Sequence, residues 1–469
     1  MDSSYKRLGK NTILVFLGKA GSSLVSLLML PLYTRWLTPG EYGSVDLITT
    51  YSSIILSIAS CCIADAIFVI PKDSDTEERI KYYSTGILFI TLSSLLLLTL
   101  GVVGLFFKTQ NTSFIINNSL YVAALTISMI WMNYVQQFTR TIDKVAIFSI
   151  TGIIHAIAIA VLAFVFIPHY GLGGYILSLI FSNVISAGFS FLASKSYEYV
   201  SLKKVEKHSL NCLLKYSIPL MPNSIMWWLV NGFNKPIMES KLGLAAIGLY
   251  AIAMKFPSLI TALCDVFMNA FSISVIEEYK KTGFSLFFNT VFKAISFSVI
   301  LMALIVSFFS VPIIRLFASD EYIDAWLLLP TLTLSSVFSC LSSIVGGVFI
   351  ARKESKYFFY SSIWGAVSSV VFTVLFIELW GLQGCAIAVS ISFLVMFLVR
   401  FYFARKDIVG FDFMHLLFQL LILIIGIIVV LSDMPLYYKI VIYVTICVLL
   451  IIINRKILLQ LSSIFKLRR

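Results

Sequence analysis

The chain is a succession of apolar runs, most of them longer than the roughly 18–20 residues that carry a helix across a bilayer, joined by short charged stretches. Few folds survive that pattern. Backbone N–H and C=O groups in hydrocarbon must be bonded within the protein, so a spanning chain is helical or forms a closed barrel. Barrel strands would show alternating segments of about ten residues, and none occur. Composition agrees: 59% of the 469 residues are hydrophobic and 12% are charged, against roughly a quarter charged in soluble proteins. No cleavable signal is expected, because Met1 to Lys10 leads straight into a full-length apolar run. The fold class is an all-α polytopic membrane protein.

Spans are expected at about 12–33, 44–70, 83–107, 114–138, 145–167, 172–194, 213–235, 244–275, 285–310, 322–350, 357–378, 382–404, 412–431 and 436–453. Fourteen spans place both termini on one side. The 35 basic residues test this count. Twenty-six fall on the side of the termini, including Lys6, Arg79, Lys144, Lys204, Arg352, Arg400 and Arg469. Six fall opposite (Arg35, Lys108, Lys235, Lys241, Arg315 and Lys439), and three lie inside spans (Lys19, Lys255 and Lys293). Cytoplasmic loops carry the excess of Lys and Arg, so both termini are expected in the cytoplasm. A missed span would have exchanged the sides downstream and erased the bias.

The net charge of +12 is therefore topological, facing anionic headgroups rather than nucleic acid. The tail 454–469 reads as a basic amphipathic helix at the membrane surface. Seven cysteines show no CxxC or Cys/His metal spacing, and read as small apolar side chains. There is no GxxxxGK[ST] loop and no dinucleotide motif. No cofactor or metal is called for, and no outer loop is long enough for a catalytic domain. An enzyme is not expected.

The chain repeats itself. Phe166-Ile-Pro-His-Tyr-Gly171-Leu-Gly-Gly174 resembles Phe376-Ile-Glu-Leu-Trp-Gly381-Leu-Gln-Gly384 at an offset of 210. Arg140 to Lys144 parallels Arg352 to Lys356 at 212, and Glu41-Tyr-Gly43 parallels Ala246-Ile-Gly248 at 205. Spans 1–6 thus pair with spans 7–12. Six is even, so the halves enter the membrane in the same sense, as in transporters that bind substrate between parallel repeats. The expected organisation is an N-terminal lobe at 1–205, a C-terminal lobe at 206–407, two additional spans at 408–453, and the tail.

Polar residues inside spans are costly, about 2.5–3.5 kcal/mol for a charge at a helix centre, and usually face water or a partner. The richest stripes lie on equivalent spans of the two halves. Span 1 carries Lys19 and serines. Span 2 carries Asp46, Thr50, Ser53, Ser57 and Ser60, with Asp65 beyond. Span 7 carries Asn223, Trp227, Asn231, Asn234 and Lys235, and span 8 carries Lys255, Ser258, Asp265 and Asn269. These imply a water-accessible cavity with Lys19, Arg35, Lys235 and Lys255 as its cations, and with Asn223, Asn231 and Trp227 as further substrate contacts. Cations suit phosphate, Arg as a fork and Lys as a point charge. Asp65, Asp265 and His155 are the candidates for coupling to H⁺ or Na⁺. Each has a plainer reading: serine stripes pack helices, lysines near span ends snorkel, and a lone mid-span His makes an interhelical hydrogen bond. Pro219, Pro222 and Pro257 interrupt spans 7 and 8 and are expected to kink them.

At Pro31-Leu-Tyr-Thr-Arg35-Trp-Leu-Thr-Pro39-Gly-Glu41-Tyr42-Gly43 the sequence resembles the polysaccharide biosynthesis flippases, of the multidrug, oligosaccharidyl-lipid and polysaccharide exporter superfamily. Length, doubled six-span lobes, two extra spans and the Gly-rich turn after each lobe's fifth span extend the likeness over nearly the whole chain. The resemblance implies two lobes around a cationic cavity. Through it the head of an undecaprenyl-pyrophosphate-linked O-antigen or capsule unit crosses a bacterial cytoplasmic membrane while its lipid tail stays in the bilayer. It also implies that the last two spans help guide the tail, that Lys19 and Lys255 are cavity cations, and that polysaccharide polymerase machinery is a candidate partner beside the membrane lipids.

Two rivals share the architecture. A cation-coupled multidrug exporter would favour acids in the first lobe, where this chain places Lys19. A peptidoglycan-precursor flippase differs little in physics. A membrane glycosyltransferase or polymerase would need a sizeable outer loop, which is lacking.

Overall fold

A computed structural model describes residues 21, 25–108 and 113–455. Most of the expected first span, with Lys19, and nearly all of the basic tail lie outside these residues. Among the described residues every regular element is helical. Eight helices are long and apolar enough to cross a membrane, or nine if one bent pair is a single span. Two of them run 49 residues each, roughly 74 Å at 1.5 Å per residue, which is twice a bilayer core of ~30 Å. Each supplies two spans, which makes ten among the described residues, or eleven with the bent pair, and the chain is a helical membrane protein.

Contacts divide the chain into Met1–Trp228 and Leu229–Arg469. In the first unit, α1 (Leu30–Trp36) leads into α2 (Pro39–Ala59), α3 (Ile63–Val69), α4 (Thr76–Phe106), α5 (Ser119–Thr141) and α6 (Val145–Ala193). The short α7 (Lys207–Ser217) follows. Local chemistry sets the starts. Thr38 and Glu41 form a reciprocal capping box with Pro39 in the first turn of α2. Asp75 accepts from the Glu78 amide at 2.7 Å to open α4. Helix α5 is the centre of the unit, packing against α2, α3, α4 and α6. A buried cluster of Ile63, Ile67, Tyr83, Tyr134 and Phe138 closes its C-terminal end and includes Leu213 of α7.

The sequence puts a division at 205/206; the contact division falls inside α8 (Met221–Asn231). The connecting segment is pinned to α4: Ser84 Oγ donates to Tyr199 O (3.1 Å) and accepts from the Ser201 amide (2.8 Å), and Thr85 Oγ1 accepts from the Glu206 amide (3.1 Å). Lys204–Glu77 and Lys81–Glu206 ion pairs lie over it at 3.3 and 3.6 Å.

The second unit comprises α9 (Asn234–Leu242), α10 (Leu244–Glu278), α11 (Phe284–Phe308), α12 (Ser310–Phe317), α13 (Leu329–Arg352), α14 (Lys356–Ala404), α15 (Phe413–Leu431) and α16 (Leu436–Ile453). Helix α13 plays the part of α5, packing on α10, α11 and α14. The two additional spans, α15 and α16, attach to α11. The Tyr443 hydroxyl donates to Leu304 O at 3.0 Å. His415, Gln419 and Asn454 form a polar knot, with Gln419 Nε2 donating to Asn454 Oδ1 at 2.7 Å.

The repeat is written in the backbone. Gly171 has φ 53°, ψ −129° inside α6, and Gly381 has φ 54°, ψ −128° inside α14. Only glycine tolerates that region freely. What the sequence reads as a Gly-rich turn is a reversal at one glycine, where two helices meet and fold back on each other: His155 and Asn183, 28 residues apart on α6, lie within hydrogen-bond distance. Three residues on, a Cβ at Gly174 would lie 2.2 Å from Phe166 O, and at Gly384 1.9 Å from Phe376 O. The helix entry also recurs: Asp143 and Lys353 both take φ near 60°. The next amide then reaches back five residues in each, Lys144 N to Thr139 O and Glu354 N to Phe349 O. These joints are 210 apart, so the Arg140–Arg352 match at 212 is out of register by two. Their side chains differ accordingly. Arg140 lies over the Phe68 ring at 3.8 Å, while Arg352 pairs with Asp407.

Candidate transport site

Of the expected cations, Lys19 lies outside the described residues. Arg35 is exposed in the last turn of α1. Its turn is fixed by the capped start of α2 and by Tyr33 stacking on Tyr175 at 4.7 Å between centroids. In the second unit Lys235 is half-buried in the first turn of α9, and Lys255 is half-buried on α10, two residues before Pro257. Pro257 has no amide to donate, and its own carbonyl accepts from Ser336 Oγ of α13 at 2.9 Å. Pro219 and Pro222 stand where the expected seventh span breaks into α7, a 3₁₀ turn and α8.

The polar stripes divide by role. Thr50, Ser53 and Ser57 of α2, and Ser60 at its C-cap, all donate to carbonyls three or four residues back, at 2.7–3.4 Å. Their hydroxyls are satisfied inside the helix, as packing residues are. On α10, Ser258, Asp265 and Asn269 are exposed, in line with half-buried Lys255, and Ser258 likewise donates inside its helix, to Lys255 O at 2.6 Å. Asn223 and Trp227 are half-buried on α8, and Asn231 is exposed at its end. The neighbouring Trp228 donates Nε1–H to Thr50 O at 2.9 Å, fixing α8 against α2.

The candidates for ion coupling do not share one environment. Asp65 is exposed in the first turn of α3. His155 Nε2 is 3.0 Å from Asn183 Oδ1, and Asn183 Nδ2 donates to Ser128 Oγ at 3.0 Å, linking both limbs of α6 to α5. This is the interhelical hydrogen bond that the plainer reading anticipates. Asp265 lies on α10, ten residues beyond Lys255.

Two other intramembrane cations are committed elsewhere. Lys293 Nζ lies 2.9 Å from Asp412 Oδ2. Arg400, counted with the cytoplasmic cations, is 2% exposed inside the second unit. Its Nε donates to Ser361 Oγ (3.0 Å), its Nη1 to Ser342 O (3.1 Å), and its guanidinium lies 5.0 Å from the Phe358 ring centre. Sequence reasoning missed this, because Arg400 stands near the end of an apolar run where a cation ordinarily snorkels. Asn234, which the sequence puts on the polar stripe of span 7, is fully buried as well.

Two copies of a helical unit, each folded back at an equivalent glycine, followed by two further helices, define a class of multi-span membrane transporter folds. The chain belongs to the polysaccharide biosynthesis protein family, whose model matches residues 8–260. An uncharacterized membrane protein of Methanocaldococcus jannaschii is 24% identical over 188 residues, 40% of this chain and 44% of that protein. The chain thus matches less than half the length of this relative. Among solved structures, the lipid II flippase MurJ in an inward closed conformation aligns with 96% of this chain and 99% of its own, at 17% identity and a TM-score of 0.68. An inward-facing multidrug resistance MATE family transporter aligns over 84% and 94% at 15% identity and 0.67. A MOP superfamily transporter from Pyrococcus furiosus, described as having a binding pocket of reverse polarity, aligns over 86% and 95% at 18% identity and 0.52. At these identities the likeness establishes the fold.

Proposed function

We propose that this protein is a flippase that moves an undecaprenyl-pyrophosphate-linked oligosaccharide, an O-antigen or capsule repeat unit, from the cytoplasmic to the outer leaflet of a bacterial cytoplasmic membrane. The route is alternating access through a cationic cavity served by a lobe at 1–205 and a lobe at 206–407. The observation that carries this reading is the family match over 8–260, a segment that contains Lys19, Arg35, Lys235 and Lys255. A pyrophosphate is the ligand such cations favour, and a cation facing hydrocarbon instead would cost several kcal/mol. Asn223, Asn231 and Trp227 supply hydrogen bonds and a stacking face for sugars. Asp65, Asp265 and His155 are the groups through which H⁺ or Na⁺ would be coupled, and polysaccharide polymerase machinery would receive the product.

The test is deletion of the gene, with surface polymer and lipid-linked unit quantified together. Loss of polymer, with the lipid-linked unit retained on the cytoplasmic leaflet, is the expected result. Unchanged polymer would discard this substrate and favour a cation-coupled multidrug exporter or a peptidoglycan-precursor flippase.

A further inference from the structure

Span 2 breaks where its sequence gives no cause. The stretch Ser60-Cys61-Cys62-Ile63 contains neither Gly nor Pro, yet α2 ends at Ala59 and α3 starts at Ile63 with a bend of 56°. Cys61 and Cys62 take φ of 48° and 54°. Two adjacent left-handed residues other than glycine are unfavourable and persist only where the surroundings impose them.

The surroundings do so at the carbonyls that the break leaves without helical partners. Ser93 Oγ of α4 donates to Ala59 O at 2.7 Å. Cys62 Sγ lies 3.8 Å from Ser57 O and 3.7 Å from Ser224 Oγ of α8, while Ile58 O is taken by the Cys61 amide at 3.2 Å. The arms are held separately along α5: Ser52 Oγ donates to Val122 O at 3.4 Å near its N-terminal end, and Thr141 Oγ1 to Ile67 O at 2.7 Å at its C-terminal end. The corresponding span of the second unit, α10, runs 35 residues without such a break. The architecture does not require one.

We infer that Cys61–Cys62 is a hinge of the first lobe, at which span 2 passes between this bent, side-chain-capped state and a straight helix during transport. The inference rests on the transport reading but not on the identity of the cargo.

The test uses the full chain in proteoliposomes, with hydrogen exchange of the segment 57–66 as a readout separate from export. In the wild type this segment should show two exchanging populations, the faster roughly tenfold or more above the flanking turns. Cys62→Val puts a β-branched residue where left-handed backbone is forbidden. It should give one protected population and lower export roughly tenfold, whereas Cys62→Gly should keep both wild-type behaviours. Ser93→Ala removes the carbonyl cap and should lower export, and adding Cys62→Gly should restore it. A protected Cys62→Val that exports normally overturns the hinge. If that variant fails to reach the membrane, the Ser93 pair decides, and absence of rescue overturns it. If the wild type moves no lipid-linked oligosaccharide, the transport reading fails alone. The hinge then stands on two exchanging populations and falls on a single slow one.

Discussion

Lys293 Nζ lies 2.9 Å from Asp412 Oδ2, joining the middle of α11 to the residue that caps α15. Asp412 accepts from two sides, since its other oxygen takes the His415 amide at 3.0 Å. The hydrogen bond from Lys293, and after it the amide, hold the Asp412 carboxyl below the usual carboxylate range. A depressed folded value contributes stability that is complete above the unfolded value of about 3.9 and is lost as pH falls through the folded one. Attachment of the last two spans should therefore weaken only in acid, below about pH 4. Asp412→Asn should remove that dependence. Proteolysis of the purified protein at the 405–412 connection, followed against pH, checks both.

Gly174→Ala and Gly384→Ala should each destabilise their lobe. The added Cβ would meet the Phe166 or Phe376 carbonyl at 2.2 or 1.9 Å, and backbone inside a helix cannot yield. Losses of about 1–3 kcal/mol are expected, the range of over-packed or strained sites. Thermal unfolding in detergent measures them. Gly188→Ala, with nothing within 4 Å of the new Cβ, is the neutral control.

Arg400→Met should be better tolerated than Arg400→Lys. Both acceptors of Arg400 have other bonding options: the Ser361 hydroxyl also donates to Phe358 O at 2.8 Å, and Ser342 O belongs to a helix. Removing the charge thus leaves little unsatisfied, with a change of about 1 kcal/mol or less. Lysine keeps the buried charge but cannot serve Ser361 and Ser342 from a planar fork, at a cost of roughly 2 kcal/mol. Chemical denaturation of the three proteins should rank Arg and Met together above Lys.

Lys255→Ala should cut export roughly tenfold or more, the worth of one charge-assisted contact of about 1.5–3 kcal/mol, with insertion unchanged. Lys19→Ala is expected to behave alike. Ser53→Ala and Ser57→Ala should export normally, because their hydroxyls bond within α2. Export assays on equal amounts of membrane-inserted protein separate the two groups. Full export by both lysine variants would remove them from the substrate path.

Much of this architecture is legible in the chain because the bilayer imposes long apolar runs, and because Gly171 and Gly381 sit in backbone states that little else adopts. The register of the other repeat was harder to see. The left-handed joints at Asp143 and Lys353 carry no glycine, so matching charges suggested 212 where the backbone repeats at 210. The break at Cys61–Cys62 is hidden for the same reason: its cause is Ser93, thirty residues on, and not a local breaker. Arg400 misled because composition places a cation near a span end at the headgroups, whereas Ser361 and Ser342 provide it with donors' partners inside the fold. The candidate site was legible as residue types, Arg35, Lys235 and Lys255 among them, but which hydroxyls are already spent within their own helix was not.

The pinning of residues 199–206 to α4 bears on how the protein is made. Every group that holds this connection, Glu77, Lys81, Ser84 and Thr85, precedes it in the chain. The segment can dock as soon as it leaves the ribosome, before any of α10 to α16 has emerged. The later half then begins its insertion from a fixed point on a finished neighbour, which shortens the interval in which half-built apolar helices stand exposed to proteases and to each other.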